Sequence, residues 1–263
     1  MKKESKLADF TILNLKNVTK RFGGVTAVDD VSFSIHSGKV VSLIGPNGAG
    51  KTTLFNCITG MAYSETGSIY FTDTLLNRLS PYQITGKGIA RTFQTIRLFK
   101  HMTVLENVLV GAHSITRGNL LNALLAPRWL KTEEKRVRTH ANQLLEFFGL
   151  SGKSHMLAHN LSYGHQKKLE IARALAANPK LLLLDEPAAG MNAKEKEELL
   201  KLICSIRDRG VTILLIEHDM KVVMPISNHV VVLDYGKKIA EGTPKEIQNH
   251  PQVIEAYLGK RNA

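Results

Sequence analysis

Four short stretches of the chain are almost wholly apolar: Lys39–Ile44, Leu181–Leu184, Val211–Ile216 and Val230–Leu233. Each has the length of a strand, and helical patterns separate the last three. Continuous apolar character, rather than alternation, predicts strands of a parallel sheet buried on both faces. The N-terminal part is patterned differently. Thr11-Ile12-Leu13-Asn14-Leu15 and Val31-Ser32-Phe33-Ser34-Ile35 alternate apolar and polar residues, which predicts antiparallel strands. Gly67-Ser68-Ile69-Tyr70-Phe71 adds another strand. From about Thr103 to Leu150 the pattern turns helical, and from about Gly242 a short helical tail is expected on the surface. No internal repeat or low-complexity segment interrupts this order. The chain is therefore expected to be an α/β protein.

Between the strand at Lys39–Ile44 and a helix start at Thr52-Thr53-Leu54-Phe55 stands Gly45-Pro46-Asn47-Gly48-Ala49-Gly50-Lys51-Thr52-Thr53. It fits G-x-x-x-x-G-K-[ST] in the strand–loop–helix context that a phosphate-binding loop needs. Glycines let the backbone wrap a polyphosphate so that successive N–H groups point inward. The helix N-terminus adds unsatisfied donors and a positive dipole end. Lys51 is placed to reach the β- and γ-phosphates, and the Thr52 hydroxyl to ligate Mg²⁺. A glycine turn with a chance lysine is the alternative, and the flanking elements argue against it.

Leu181–Leu184 deliver Asp185-Glu186-Pro187 at a strand's carboxyl end, where ligands bind in parallel α/β sheets. Asp185 is placed to hold Mg²⁺ through a water, and Glu186 to polarise an attacking water. A third segment, Leu161–Leu175, opens with Ser162-Tyr163-Gly164. It continues as an amphipathic helix with Leu169, Ala172, Leu175 and Ala176 on one side. Its N-terminus is a second place where phosphate could bind. Taken alone, it reads first as an N-capping serine before a core helix; its place after the glycine loop and just before the Asp-Glu strand favours the phosphate reading instead.

Composition narrows the class. The 263 residues, 43% of them hydrophobic, suffice for one large domain or a domain with a subdomain. No apolar run approaches the roughly 20 residues that span a bilayer. The charged start Met1-Lys2-Lys3-Glu4-Ser5-Lys6 lacks the apolar stretch of a signal peptide, so a cytosolic protein is expected. Cys57 and Cys204 lie far apart and read as reduced core or near-core thiols. The net charge of +12 admits nucleic acid or an anionic membrane surface as a partner. The basic residues are scattered and no nucleic-acid motif accompanies them. A solvated basic surface is expected first, a membrane-facing preference second, and nucleic acid not at all.

The order Gly45–Thr53, Gln94, Leu161–Gln166, Leu184–Pro187 and His218 closely resembles the ATP-binding subunits of ABC transporters over nearly the whole chain. Ala90-Arg91-Thr92-Phe93-Gln94, Asp185-Glu186-Pro187-Ala188-Ala189-Gly190-Met191-Asn192 and Ile216-Glu217-His218-Asp219-Met220 are similar to the ATPases of branched-chain amino acid importers. So is the ending Gly242-Thr243-Pro244 … Pro251–Gly259. The length between Gly111 and His140 resembles the longer of that group's two ATPases.

The resemblance implies a phosphate-loop NTPase core with a mostly parallel sheet, an N-terminal antiparallel β subdomain and an inserted α-helical subdomain. Residues 8–94 with 176–240 would form the core, 95–175 the helical subdomain and 241–263 the tail, all within one domain spanning 8–258. It implies ATP and Mg²⁺ as cofactors. Pro46, Asn47, Gly48, Ala49, Gly50 and Thr53 would cradle phosphate with Gly45, Lys51 and Thr52. Gln94 would sense Mg²⁺ and the attacking water, and His218 would hydrogen-bond the γ-phosphate and hold Glu186. Phe22 would stack on adenine. Ser162 and Gly164 would reach the γ-phosphate on a second ATPase subunit, so that two chains sandwich two ATPs head to tail. Two integral membrane permeases would be direct partners and an extracytoplasmic solute-binding protein an indirect one, at the cytoplasmic face of the membrane.

Tyr163, His165 and Asn192 depart from the general family pattern, which has glycine, glutamine and aspartate there. His165 reads as a surface histidine rather than a pH-sensitive contact. Leu120, Leu121, Leu124, Leu125, Trp129 and Leu130 read as the inner face of a helical subdomain rather than a membrane contact. Leu98 and Phe99, beside Arg97, offer an edge for a permease's short cytoplasmic helix, or else close the subdomain's own core. Related cargoes, such as lipopolysaccharide exported or urea imported, are the nearest alternative. A ribosome- or DNA-directed ABC protein would carry a second cassette or a long coiled coil. A non-hydrolysing scaffold is opposed by intact Lys51, Asp185, Glu186 and His218.

Overall fold

The computed structural model describes residues 10–115 and 128–258. Two sheets organise them. The first is antiparallel, in the order β2-β1-β4-β5, from β1 (Thr11–Phe22), β2 (Val25–His36), β4 (Thr66–Phe71) and β5 (Thr74–Leu75). The second runs β10-β9-β3-β8-β7-β6. Its strands are β3 (Val40–Ile44), β6 (Ile89–Arg91), β7 (Leu181–Asp185), β8 (Thr212–Ile216), β9 (His229–Asp234) and β10 (Lys237–Gly242). Strands β9, β3, β8, β7 and β6 are mutually parallel, and β10 closes one edge antiparallel to β9.

The continuous apolar runs have a simple cause. Every residue of β3, β7 and β8 is buried, and successive side chains enter different cores. Val41, Leu43, Leu181, Leu183, Leu214 and Ile216 join the cluster that also holds Leu13, Val31 and Ile35 of the antiparallel sheet. Val40, Leu182, Leu184, Ile213 and Leu215 join the cluster built with the helices. Each fully buried Leu or Ile contributes about 1.5–3 kcal/mol; the one polar side chain inside β3, the buried Ser42, has its hydroxyl bonded to Ser227 Oγ at 2.6 Å. A third cluster packs Ile44, Val230 and Val232 against Ile247 and Val253 of the C-terminal helices.

Helices α1 (Lys51–Ile58) and α2 (Pro81–Lys87) follow the phosphate loop and the antiparallel sheet. Helices α3 (Val104–Gly111), α4 (Arg128–Phe147) and α5 (Tyr163–Leu175) make the inserted helical layer. Leu169, Ala172, Leu175 and Ala176 face its core, as the periodicity predicts. Then come α6 (Ala193–Asp208), α7 (Met220–Ile226), α8 (Pro244–Gln248) and α9 (Pro251–Leu258). Leu120, Leu121, Leu124 and Leu125, and the side chains of Trp129 and Leu130, lie outside the described residues. Two short elements, β5 and β6, give no sequence signal of their own. Three residues are too few to show a period.

Candidate active site

Four parallel strands, β3, β6, β7 and β8, end at the same edge of the sheet. The residues following them are the Gly45–Thr53 loop, Gln94, Glu186 and His218, so the topology alone brings together positions spread over 174 residues of chain.

The loop is shaped by its glycines. A Cβ on Gly45 would meet the Leu233 carbonyl oxygen at 2.0 Å, and one on Gly50 the Ala27 carbonyl oxygen at 2.2 Å. Both also have positive φ, 147° and 95°, which side chains disfavour. Gly50 caps α1 without a side chain, and no acidic residue stands in the first turn. The N–H groups there are left as donors for an anion. Lys51 is buried, and its Nζ donates to the carbonyls of Gly45 (2.7 Å) and Pro46 (2.8 Å). Burial lowers its pKa, against the raising influence of Glu186 and Asp185. Thr52 is exposed at the start of α1.

Asp185 ends β7 almost fully buried, with Oδ2 accepting from Arg91 Nη2 at 2.8 Å. Arg91 also donates from Nη1 to Asn56 Oδ1 (2.7 Å) and Thr59 Oγ1 (3.2 Å) of the α1 region, and its guanidinium lies against the Phe55 and Phe93 rings. One side chain thus connects the helix after the phosphate loop to the carboxylate of β7. A buried arginine must have a partner, but β6 carries no strand signal, so the sequence does not show that Arg91 is buried.

Glu186 adopts φ 45°. That conformation costs a non-glycine residue about 1–3 kcal/mol and persists only where surroundings impose it. Here they do. Its N–H donates to Ile216 O (3.0 Å), and its carbonyl accepts from Ala189 N–H (3.2 Å). The carboxylate accepts from Gln94 Nε2 (3.0 Å) and has His218 Nδ1 at 3.6 Å. Glu217, beside His218, is buried, and its Oε1 accepts from Ala188 N–H at 3.0 Å. Burial raises its pKa. It ties the loop after β8 to the loop after β7, a role that one more carboxylate in an apolar context did not reveal.

The three departures each find a partner within the chain. Tyr163 donates from its hydroxyl to Ala189 O (3.1 Å), and its ring lies where a Cβ on Gly190 would come within 3.3 Å. His165 Nδ1 hydrogen-bonds Ser162 Oγ at 2.8 Å. Ser162 is therefore the N-cap residue of α5 without a side-chain capping bond, unlike an ordinary capping serine. Asn192 caps α6 in a reciprocal box with Glu195. A Cβ on Gly164 would approach Glu195 Oε1 to 2.9 Å, so glycine there lets α5 close on α6. Phe22, at the end of β1, is 53% exposed, with Lys20 Nζ 4.9 Å from its ring centroid. It is a free face rather than a core side chain.

Among the described residues no group of three His, Cys, Asp or Glu could form a metal cage. One hydroxyl, Thr52, and one carboxylate, Asp185, beside a phosphate cradle instead suit Mg²⁺, which takes few protein ligands alongside phosphate and water.

The chain matches the ABC transporter family over residues 28–189 and a branched-chain amino acid ATP-binding cassette transporter family over 237–262. It is 45% identical over 250 residues to the high-affinity branched-chain amino acid transport ATP-binding protein BraF of Pseudomonas aeruginosa, covering 95% of this chain and 98% of that one. It is 46% identical, with the same coverage, to the LivG protein of Escherichia coli K12, which has the same description. Among solved structures, the ADP conformation of MJ1267, an ATP-binding cassette of an ABC transporter, superposes with a TM-score of 0.83 at 38% identity. It covers 95% of this chain and 100% of that one. A post-hydrolysis dimer of the cassette MJ0796, bound to ADP and Pi, gives 0.74 at 29% identity, covering 88% and 98%. With the fold, the phosphate loop and these relatives in agreement, the chain belongs to the ABC transporter family and is one of its nucleotide-binding ATPase cassettes.

Proposed function

We propose that this ATPase powers an importer of branched-chain amino acids, with Glu186 as the carboxylate that activates water. The observation that carries the catalytic part is Glu186 itself. It is held at an unfavourable φ, bonded to Gln94 and next to His218, at the sheet edge where the phosphate loop opens. In this reading Lys51 exchanges its loop carbonyls for the β- and γ-phosphates. The N–H groups of Asn47–Thr53 bind the remaining phosphate oxygens, and Phe22 stacks on adenine. Thr52 and, through a water, Asp185 would hold Mg²⁺, which would supply charge neutralisation at the phosphates. Glu186 takes a proton from water as its oxygen attacks the γ-phosphorus and the bond to the ADP oxygen breaks, yielding ADP and phosphate. Gln94 orients that water, and His218 donates to the γ-phosphate. Ser162 and Gly164 complete the site on a second ATPase subunit, supplying donors from the opposite side.

The cargo reading rests on the BraF and LivG relatives and the match over 237–262. Residues 8–94 with 176–240 serve as core, 95–175 as the helical subdomain and 241–263 as the tail. The partners are a second ATPase subunit and two permeases at the cytoplasmic membrane face, with a solute-binding protein outside and no nucleic acid. Among the described residues no helix is long and apolar enough to cross a membrane. The permease contact lies near Phe99, which is 47% exposed, whereas Leu98 packs on the helical core.

Glu186→Gln keeps the hydrogen-bond geometry and removes the base. Turnover should fall about 10²–10⁴-fold while ATP still binds and holds a dimer in sedimentation. Normal hydrolysis by this variant refutes the assignment. In membranes with both permeases, Phe99→Asp should abolish leucine uptake and keep basal hydrolysis. Unimpaired uptake would place the contact elsewhere.

A further inference from the structure

We propose that Lys167 and Glu170, on the buried face of α5, are positioning residues that staple the Gln94 segment to the helix carrying Ser162, so that the two move as one body. The proposal rests on the role given to Gln94 above. Lys167 Nζ donates to the carbonyls of Gln94 (2.9 Å) and Phe93 (3.3 Å). One turn on, Glu170 Oε1 accepts from the Arg97 N–H at 3.1 Å. Their spacing of three puts both on one helix face, and together they grip the segment from Phe93 to Arg97 at both ends. The Gln94 side chain reaches the other way, to Glu186. A continuous path therefore runs from the start of α5 through Lys167 and Gln94 to the carboxylate that activates water.

The chemistry is costly, which gives it meaning. Both residues are 1% exposed, and Nζ is 3.9 Å from Glu170 Oε2, an oxygen with no hydrogen-bond partner. Burial lowers the Lys167 pKa and raises that of Glu170. An apolar pair of similar volume commonly matches or exceeds a buried ion pair in stability. An apolar pair cannot hold two carbonyls and an amide. The device transmits displacement: loss of the Gln94–Glu186 contact frees loop and helix together, and withdraws Ser162 from the neighbouring subunit's nucleotide.

The test uses the full chain. Lys167→Met should lower kcat about tenfold, the worth of a charged hydrogen bond, with KM for ATP within twofold. Gln94→Ala should also lower kcat, and the double variant should be no slower than Gln94→Ala alone. Hydrogen exchange of the Arg97 amide should speed about tenfold in Glu170→Ala and stay near wild type in Glu170→Gln, which keeps an acceptor. The neutral pair Lys167→Met/Glu170→Leu removes the risk of an unpaired buried charge and should show the same kcat loss. Wild-type turnover in either Lys167 variant, additive losses, or an unchanged Arg97 amide overturns the staple. If Gln94→Ala itself keeps full turnover, the reading of Gln94 fails and the staple falls with it. If Gln94→Ala is slow and Lys167→Met is not, the staple alone fails.

Discussion

The phosphate loop and the Glu186 cluster meet at one sheet edge but are built by opposite means. The loop is nine consecutive residues whose shape follows from backbone: positive φ at Gly45 and Gly50, close carbonyls from Leu233 and Ala27, and an uncapped helix start. The cluster comes from three separate loops, after β6, β7 and β8, joined by side-chain contacts at 3.0 and 3.6 Å. A site made of local backbone is rigid by construction. A site made of side chains from separate loops comes apart when any one loop moves.

Arg91 joins the helix that follows the loop to the Asp185 carboxylate beside the cluster, so its removal should have the largest effect. Arg91→Met leaves the buried Asp185 carboxylate unpaired and should cost about 3–5 kcal/mol. The expected readout is a fall of several degrees in Tm, recovered in large part by adding Asp185→Asn. A Tm unchanged by Arg91→Met would show the two regions to be independent.

Next comes a contrast within the site. Lys51→Ala removes a charge from the loop and should weaken ATP binding about 10–100-fold, measured by fluorescent-nucleotide titration. Glu186→Gln should leave that affinity within a few-fold. Equal losses of affinity would erase the distinction between a binding loop and a hydrolytic cluster.

The smallest effect concerns the tie between loops. Burial raises the Glu217 pKa above the 4.5 of a free glutamate. The folded state therefore holds that proton longer than the unfolded chain. The stability this supplies is full below pH 4.5 and is lost as pH rises through the raised folded value. Denaturation of Glu217→Gln against wild type should show the variant gaining relative stability across that window. A difference independent of pH would mean that Glu217 is not held in a protonation-sensitive place.

Much of the molecule was legible from residues alone, for reasons that can be named. A phosphate loop must be contiguous, because successive amides of one backbone would do the binding, so the strand–loop–helix around Gly45–Thr53 could be read directly from spacing. Asp185 and Glu186 were legible because Leu181–Leu184 could only be a buried strand, and ligands gather at strand ends. The parallel sheet followed from residues that face two cores at once. Tertiary structure alone decided the pairings: that Arg91 turns to Asp185 and α1, that Tyr163 replaces a glycine by bonding Ala189 O, that Ser162 engages His165 instead of capping α5, and that Lys167 and Glu170 grip the Gln94 segment. Spacing along a chain specifies what lies on one strand or one helix face. It does not specify which polar group from a distant element arrives within 3 Å, because that is settled by how whole layers pack.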